Sequence, residues 1–189
     1  IPYPPDWFTS NPYWRYFDLW TDFTRRASYV NSHGYLVPDV LLLNPMNSVW
    51  PLLGGDVLDA DSEKYGGPGG TQYKKTLSHI ENEYFKAIRE LTSNRIEYLI
   101  ADDYYMGQMN VKPSGRLVID GFEFESLVLP PLVFLPLKTA QKIVEFAEAG
   151  GNVYTLGELP VGSTDNGFSG DEMKNLMKRL RSLSTVKEV

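Results

Sequence analysis

The stretch from Val37 to Pro45, Val-Pro-Asp-Val-Leu-Leu-Leu-Asn-Pro, constrains this chain more than any other. Its centre, Val40 to Leu43, is uniformly apolar and only four residues long. A run that short and that apolar suits a strand buried on both faces, as in the middle of a parallel sheet. Pro38 bounds it on one side. On the other, Asn44-Pro45 turns the chain out of the extended conformation. A strand of this kind needs parallel partners and covering helices elsewhere in the chain.

They are present. The spacing predicts a helix over about 71–92, with Leu77, Ile80, Tyr84, Ala87, Ile88 and Leu91 on its inner face. A second strand follows at 96–101, Ile-Glu-Tyr-Leu-Ile-Ala. Residues 115–124 read as a hairpin about Asp120-Gly121, a pair that favours a tight turn between strands. Ser126 to Leu129 forms a third buried strand, stopped by Pro130-Pro131. A helix from about Lys138 turns Ala140, Ile143, Val144 and Ala147 inward and stops at Gly150-Gly151. A fourth strand spans 152–156. Ser169 and Glu172 form a capping box for a last helix carrying Met173, Leu176, Met177, Leu180 and Leu183, after which the chain is expected to fray. This alternation predicts an α/β fold with a mainly parallel sheet and helices on both faces.

The first 35 residues differ in character. Three of the four tryptophans fall within the first twenty residues. Three prolines in the first five exclude a helix there. Asn11-Pro12 then signals a helix start. Tyr13, Tyr16, Phe17, Trp20, Phe23, Ala27 and Val30 follow at helical spacing, with Arg15, Asp18, Asp22, Arg25 and Arg26 opposite and Asp22 paired with Arg26. The stripe is expected to pack as core. The reading is thus two domains: 1–35, an aromatic loop and long helix, and 36–189, the α/β domain.

Composition narrows function mainly by exclusion. The 189 residues carry a formal net charge of −6, so no global basic footprint suits nucleic acid. Cysteine is absent, which removes disulfides, thiolate metal sites and thiol nucleophiles. No apolar run approaches the roughly 20 residues needed to span a bilayer. The chain starts without methionine, and the abrupt aromatic start reads as a piece of a longer polypeptide.

Ligands of open parallel sheets bind beyond the carboxyl ends of the strands. That rule selects Asn44, Asp102 to Tyr105, Pro130-Pro131 and Glu158. Asp102, Asp103 and Glu158 are the candidate catalytic carboxylates, since paired carboxyl groups serve as acid and base in glycoside hydrolysis. The competing reading makes them solvated strand-end acids and helix caps. Trp7, Tyr104 and Tyr105 are candidate sugar contacts, because aromatic planes pack against the C–H faces of sugar rings. Asp56, Asp59, Asp61 and Glu63 crowd one loop as candidate oxygen ligands for calcium. Lys64 stands where an EF-hand needs glycine, and Gly70 where it needs glutamate. Gly66 to Gly70 precedes a helix, but Pro68 and the missing Gly-Lys-Ser/Thr ending separate it from a phosphate loop. His33 and His79, the two histidines, stand far apart in sequence. A Ser-His-acid triad is open in principle, although no Gly-x-Ser-x-Gly elbow occurs.

Two segments carry a family resemblance. One runs from Tyr3-Pro4-Pro5-Asp6-Trp7 through Asn11-Pro12-Tyr13-Trp14-Arg15-Tyr16-Phe17 and Arg25-Arg26-Ala27-Ser28-Tyr29 to Pro38-Asp39-Val40-Leu41-Leu42-Leu43-Asn44-Pro45. The other runs from Thr139-Ala140 through Phe146-Ala147-Glu148-Ala149-Gly150-Gly151-Asn152-Val153 to Gly157-Glu158-Leu159-Pro160. Together they resemble the region after the catalytic barrel in family 106 bacterial glycoside hydrolases, the α-L-rhamnosidase type. The second segment is also similar to the amidotransferase-like domain of family 42 β-galactosidases. The resemblance implies a flavodoxin-like, class I glutamine amidotransferase-like fold in a non-catalytic accessory domain. Its partner would be an upstream catalytic barrel of the same polypeptide, closed by the aromatic helix, with carbohydrate as a ligand. The catalytic residues would lie in that barrel, and none is carried onto these positions. The resemblance further implies polysaccharide degradation in the periplasm or outside the cell, and calcium as the metal to test at the acidic loop. A self-contained hydrolase and a purely structural or oligomerisation module are the alternatives.

Overall fold

The computed structural model of the protein describes residue 9 and residues 11–53, 70–168 and 170–189, with the backbone alone for 70–73. The chain divides into two compact units, Ile1–Leu36 and Val37–Val189.

In the first unit Asn11 uses its side-chain oxygen to accept the Tyr13 N–H at 2.9 Å. A short 3-10 segment at Trp14–Tyr16, with Tyr13 as its N-cap and no side-chain cap bond, comes next, and the α-helix α1 follows at Phe17–Ser32. The helix therefore begins a turn later than the Asn-Pro signal implies. None of its residues is buried, and Leu19, Trp20 and Phe23 are 66%, 56% and 63% exposed. The expectation that the aromatic stripe is core fails in this chain: the amphipathic spacing is real, but no residue of the stripe is buried, and Phe17 and Ala27 alone among them are half-covered. Asp22 pairs with Arg25 at 3.1 Å rather than with Arg26, whose Nε donates to the Asp22 carbonyl instead.

The second unit is built on five parallel strands. They are β1 (Val40–Leu43), β2 (Tyr98–Ala101), β6 (Ser126–Leu129), β8 (Asn152–Thr155) and β10 (Val186–Glu188). Their order across the sheet is β10-β8-β6-β1-β2, all pairs parallel. Counted along the chain this is the order 2-1-3-4-5, with a reversal of winding between β1 and β6. The central strands meet the sequence expectation, since Leu41, Leu42 and Leu43 are all buried and Leu127, Val128 and Leu129 match them. Towards the edge β8 alternates, with Val153 and Thr155 buried and Tyr154 half-covered. The last residues do not fray: β10 pairs with β8 as the fifth strand.

Alternation splits the side chains between two layers. On one face Leu41, Leu43, Leu127, Leu129 and Val153 pack with α5 (Leu137–Glu148) and α6 (Glu172–Arg181). On the other, Leu42 and Val128 meet Ala87, Ile88 and Leu91 of α3 (Gly70–Ser93). Helix α5 stops at Gly150, whose φ of 102° suits glycine. Gly151 follows for a second reason: a Cβ there would lie 2.1 Å from the buried Phe146 ring.

Between β2 and β6 the chain forms the six-residue α4 (Asp103–Gln108), then an antiparallel meander. Its strands are β3 (Asn110–Lys112), β4 (Arg116–Ile119) and β5 (Phe122–Phe124). The Asp120-Gly121 turn is present, with φ of 46° and 86°, both positive as a type I′ turn requires. After β1 the short α2 (Met46–Val49) leads off. A two-stranded parallel pair, β7 (Phe134–Leu135) with β9 (Gly162–Ser163), flanks the carboxyl edge of the sheet. Ser48 clips these pieces together. Fully buried, it donates to the Phe134 carbonyl at 2.8 Å and accepts the N–H groups of Val133 and Phe134 at 2.9 and 3.0 Å. Ser169, half of the expected capping box, lies outside the described residues.

Candidate functional site at the carboxyl edge of the sheet

The order of the strands decides which loops meet. β6 and β8 are neighbours, so the segments leaving their carboxyl ends run side by side. The Leu156 N–H donates to the Leu129 carbonyl at 2.9 Å, and the Leu132 N–H to the Glu158 carbonyl at 2.8 Å, which extends the ladder past the sheet. The N-terminal half of α3 lies over these two segments. Lys75, Thr76, His79, Ile80, Pro131 and Glu158 line a cleft of about 340 Å³ there, with Leu132 and Val133 completing its wall.

A polar contact spans the cleft. His79 Nε2 and Glu158 Oε2 are 3.2 Å apart, and the two side chains are 47% and 75% exposed. Gly157 makes this approach possible. A Cβ at that position would lie 2.9 Å from the Pro131 ring and 3.7 Å from His79 Nε2. Along the same face of α3, Lys74, Ser78 and Asn82 continue the surface beside Lys75 and His79. Among the described residues of the cleft, Lys75 and His79 stand with the carboxylate of Glu158. Chemically the arrangement can donate hydrogen bonds and cationic charge to a polar guest. The described lining residues include no serine.

The sequence-predicted carboxylates do not assemble. Glu158 follows β8, while Asp102 and Asp103 follow β2, three strand places away. At 4.7–4.9 Å per strand that is roughly 14 Å of lateral separation. A glycosidase pair works at roughly 5 to 10 Å. Asp102 is instead the cap of α4, its Oδ1 accepting the Tyr105 N–H at 3.1 Å, and Asp103 sits in the first turn of that helix. Tyr104 and Tyr105 are exposed on α4, edge to face with ring centroids 5.4 Å apart, beside β2 and not at the cleft. Trp7 and the acidic residues Asp56, Asp59, Asp61 and Glu63 lie outside the described residues, as do Gly66 to Gly69. Among the described residues no group of three or more histidines, aspartates or glutamates is arranged to hold a metal ion. His33 caps α1, its Nδ1 2.7 Å from the Tyr29 carbonyl oxygen.

The sequence singles out His79 as one of two histidines but does not pair it with Glu158, and it gives Lys75 no role. Nothing local marks them, since both sit on the polar face of an ordinary amphipathic helix. The glycine before Glu158 was the available signal for a close approach at a strand end.

Three titrating groups are shifted for structural reasons. The Leu137 N–H and the Ser163 hydroxyl hold Asp165 below the usual aspartate range, where it caps α5 from a distant loop. The Lys112 ammonium lowers Glu123 across the meander. Burial, with Tyr98 beside it, raises Tyr84 on α3. Compared with protein-family models, curated proteins and solved structures, the chain matches none of them.

Proposed function

We propose that this chain is a non-catalytic accessory domain of a carbohydrate-degrading glycoside hydrolase. Its α/β unit is of the flavodoxin-like, amidotransferase-like kind, and it forms one wall of a substrate cleft. The strand order 2-1-3-4-5 supports the fold assignment, being that of doubly wound flavodoxin-type sheets. The observation that carries the accessory reading is α1. Four large apolar side chains at helical spacing, Leu19, Trp20, Phe23 and Val30, stand more than half exposed on one helix. A patch of that kind marks a surface that associates with something. The family resemblance names the catalytic barrel upstream as the partner, and a periplasmic or extracellular setting as the place.

Amide hydrogen exchange tests the docking. In the isolated 189-residue chain, amides of Phe17–Ser32 should exchange quickly, as local opening costs little in a helix with no buried residue. In the longest native polypeptide containing this chain they should become protected, while α5 stays protected in both. Equal, fast exchange of α1 in the longer polypeptide would remove the docking role.

A further inference from the structure

We propose that the cleft between α3 and the β6 and β8 carboxyl ends is a binding site for an oxyanion carried by a ligand, a carboxylate in the first instance. Glu158 marks the position that the ligand's group takes. Three independent features converge. The cleft is an opening of about 340 Å³ at the ligand-binding edge of a parallel sheet, next to the reversal of winding. Its helical wall offers Lys75 and His79 one turn apart. And a carboxylate already rests on that wall: Glu158 Oε2, 3.2 Å from His79 Nε2.

Glu158 is suited to yield its place. Its side chain is 75% exposed and reaches His79, while its backbone is held separately by the Leu132 N–H. Turning the side chain into water leaves the loop in place and exposes the imidazole and the Lys75 ammonium to an incoming anion. Charge-assisted hydrogen bonds of this kind are about twice as strong as neutral ones. Gly157 keeps the floor open, because a side chain there would fill the space between Pro131 and His79. A neutral sugar hydroxyl would gain far less from the same wall.

That the ligand is an acidic saccharide rests on the function proposed above; the oxyanion site itself does not. The test is a nitrogen–proton NMR titration of the whole chain with glucuronate, glucose and acetate at constant ionic strength. Glucuronate should shift the amides of Lys75, His79 and Gly157 saturably, and glucose should not. Lys75→Gln and His79→Gln should each weaken glucuronate binding about tenfold, the scale of one charge-assisted hydrogen bond, with α5 resonances unmoved as the folding control. Glu158→Gln should tighten binding severalfold, because it removes the competing carboxylate. Acetate binding as well as glucuronate supports the oxyanion site while withdrawing support from the saccharide reading. No shift with either anion, equal binding of glucose, or weaker anion binding in Glu158→Gln each overturns the proposal.

Discussion

The two faces of the five-stranded sheet are built to different standards. Beneath α5 and α6 lies a continuous core in which Leu127, Phe146, Val153 and Leu180 are completely buried. On the opposite face, among the described residues, the sheet meets α3. Leu42 and Val128 are buried against Ala87 of that helix, but Tyr154 and Leu156 are only half-covered. An open apolar groove of about 390 Å³ runs between α3 and β8, lined by Val40, Ala87, Leu91, Val128, Tyr154 and Leu156. The same strands feed both faces, so the difference lies in the connections. Two crossovers, β6 to β8 and β8 to β10, place their helices on one side, where α4 and the meander of the β2-to-β6 connection also pack, and one, β1 to β2, places its helix on the other. Stability should therefore be concentrated on the α5 and α6 face, leaving the α3 face and the carboxyl edge it overhangs freer to serve recognition.

The largest effect should come from emptying the finished face. Phe146→Ala removes a fully buried ring and is expected to cost about 3–5 kcal/mol in urea unfolding. Overfilling the same place comes next. Gly151→Ala drives a Cβ into that ring and should cost about 1–3 kcal/mol; a neutral result would mean that Phe146 has room to move. On the open face Tyr154→Ala should cost less than about 1 kcal/mol, because the ring is already partly in water and its cation contact, Lys187 Nζ 5.4 Å from the centroid, is exposed. A loss near that of Phe146→Ala would erase the distinction between the faces.

The smallest effect is a pH-dependent one at the end of α5. Asp165 has a lowered folded pKa because the Leu137 N–H and Ser163 hydroxyl bind its charged form. Its stabilisation is thus fully present above the ordinary aspartate value near 3.8, and is lost as pH falls through the lower folded value. Asp165→Asn should melt slightly below the parent chain at neutral pH, and the gap should close in acid. A gap that widens in acid would contradict this capping role.

How far the sequence disclosed all this depended on the range of each signal. The apolar runs of β1 and β6, the Asp120-Gly121 turn and the Gly150-Gly151 stop are local, and each was legible. β10 was not, because Val186-Lys187-Glu188 is a three-residue edge strand with two charges and no period to read. α4 escaped because six residues give no helical period, although Asp102 was visible as a cap. Asp102 and Glu158 were rightly placed at strand ends but wrongly grouped, since their separation depends on strand order, and strand order is not written in any one segment. For the same reason the contact between His79 and Glu158, 79 residues apart, emerged only with the topology. The α1 stripe shows the converse: its period was legible, but a period says which side chains share a face and not what covers it.

The proposed accessory role places catalysis outside this chain. The direct measurement is hydrolysis of an aryl-glycoside panel that includes an α-L-rhamnoside, with and without calcium, by the 189-residue chain and by the longest native polypeptide containing it. The account predicts turnover by the longer polypeptide and none by the short chain. Turnover by the short chain that survives repurification would contradict it.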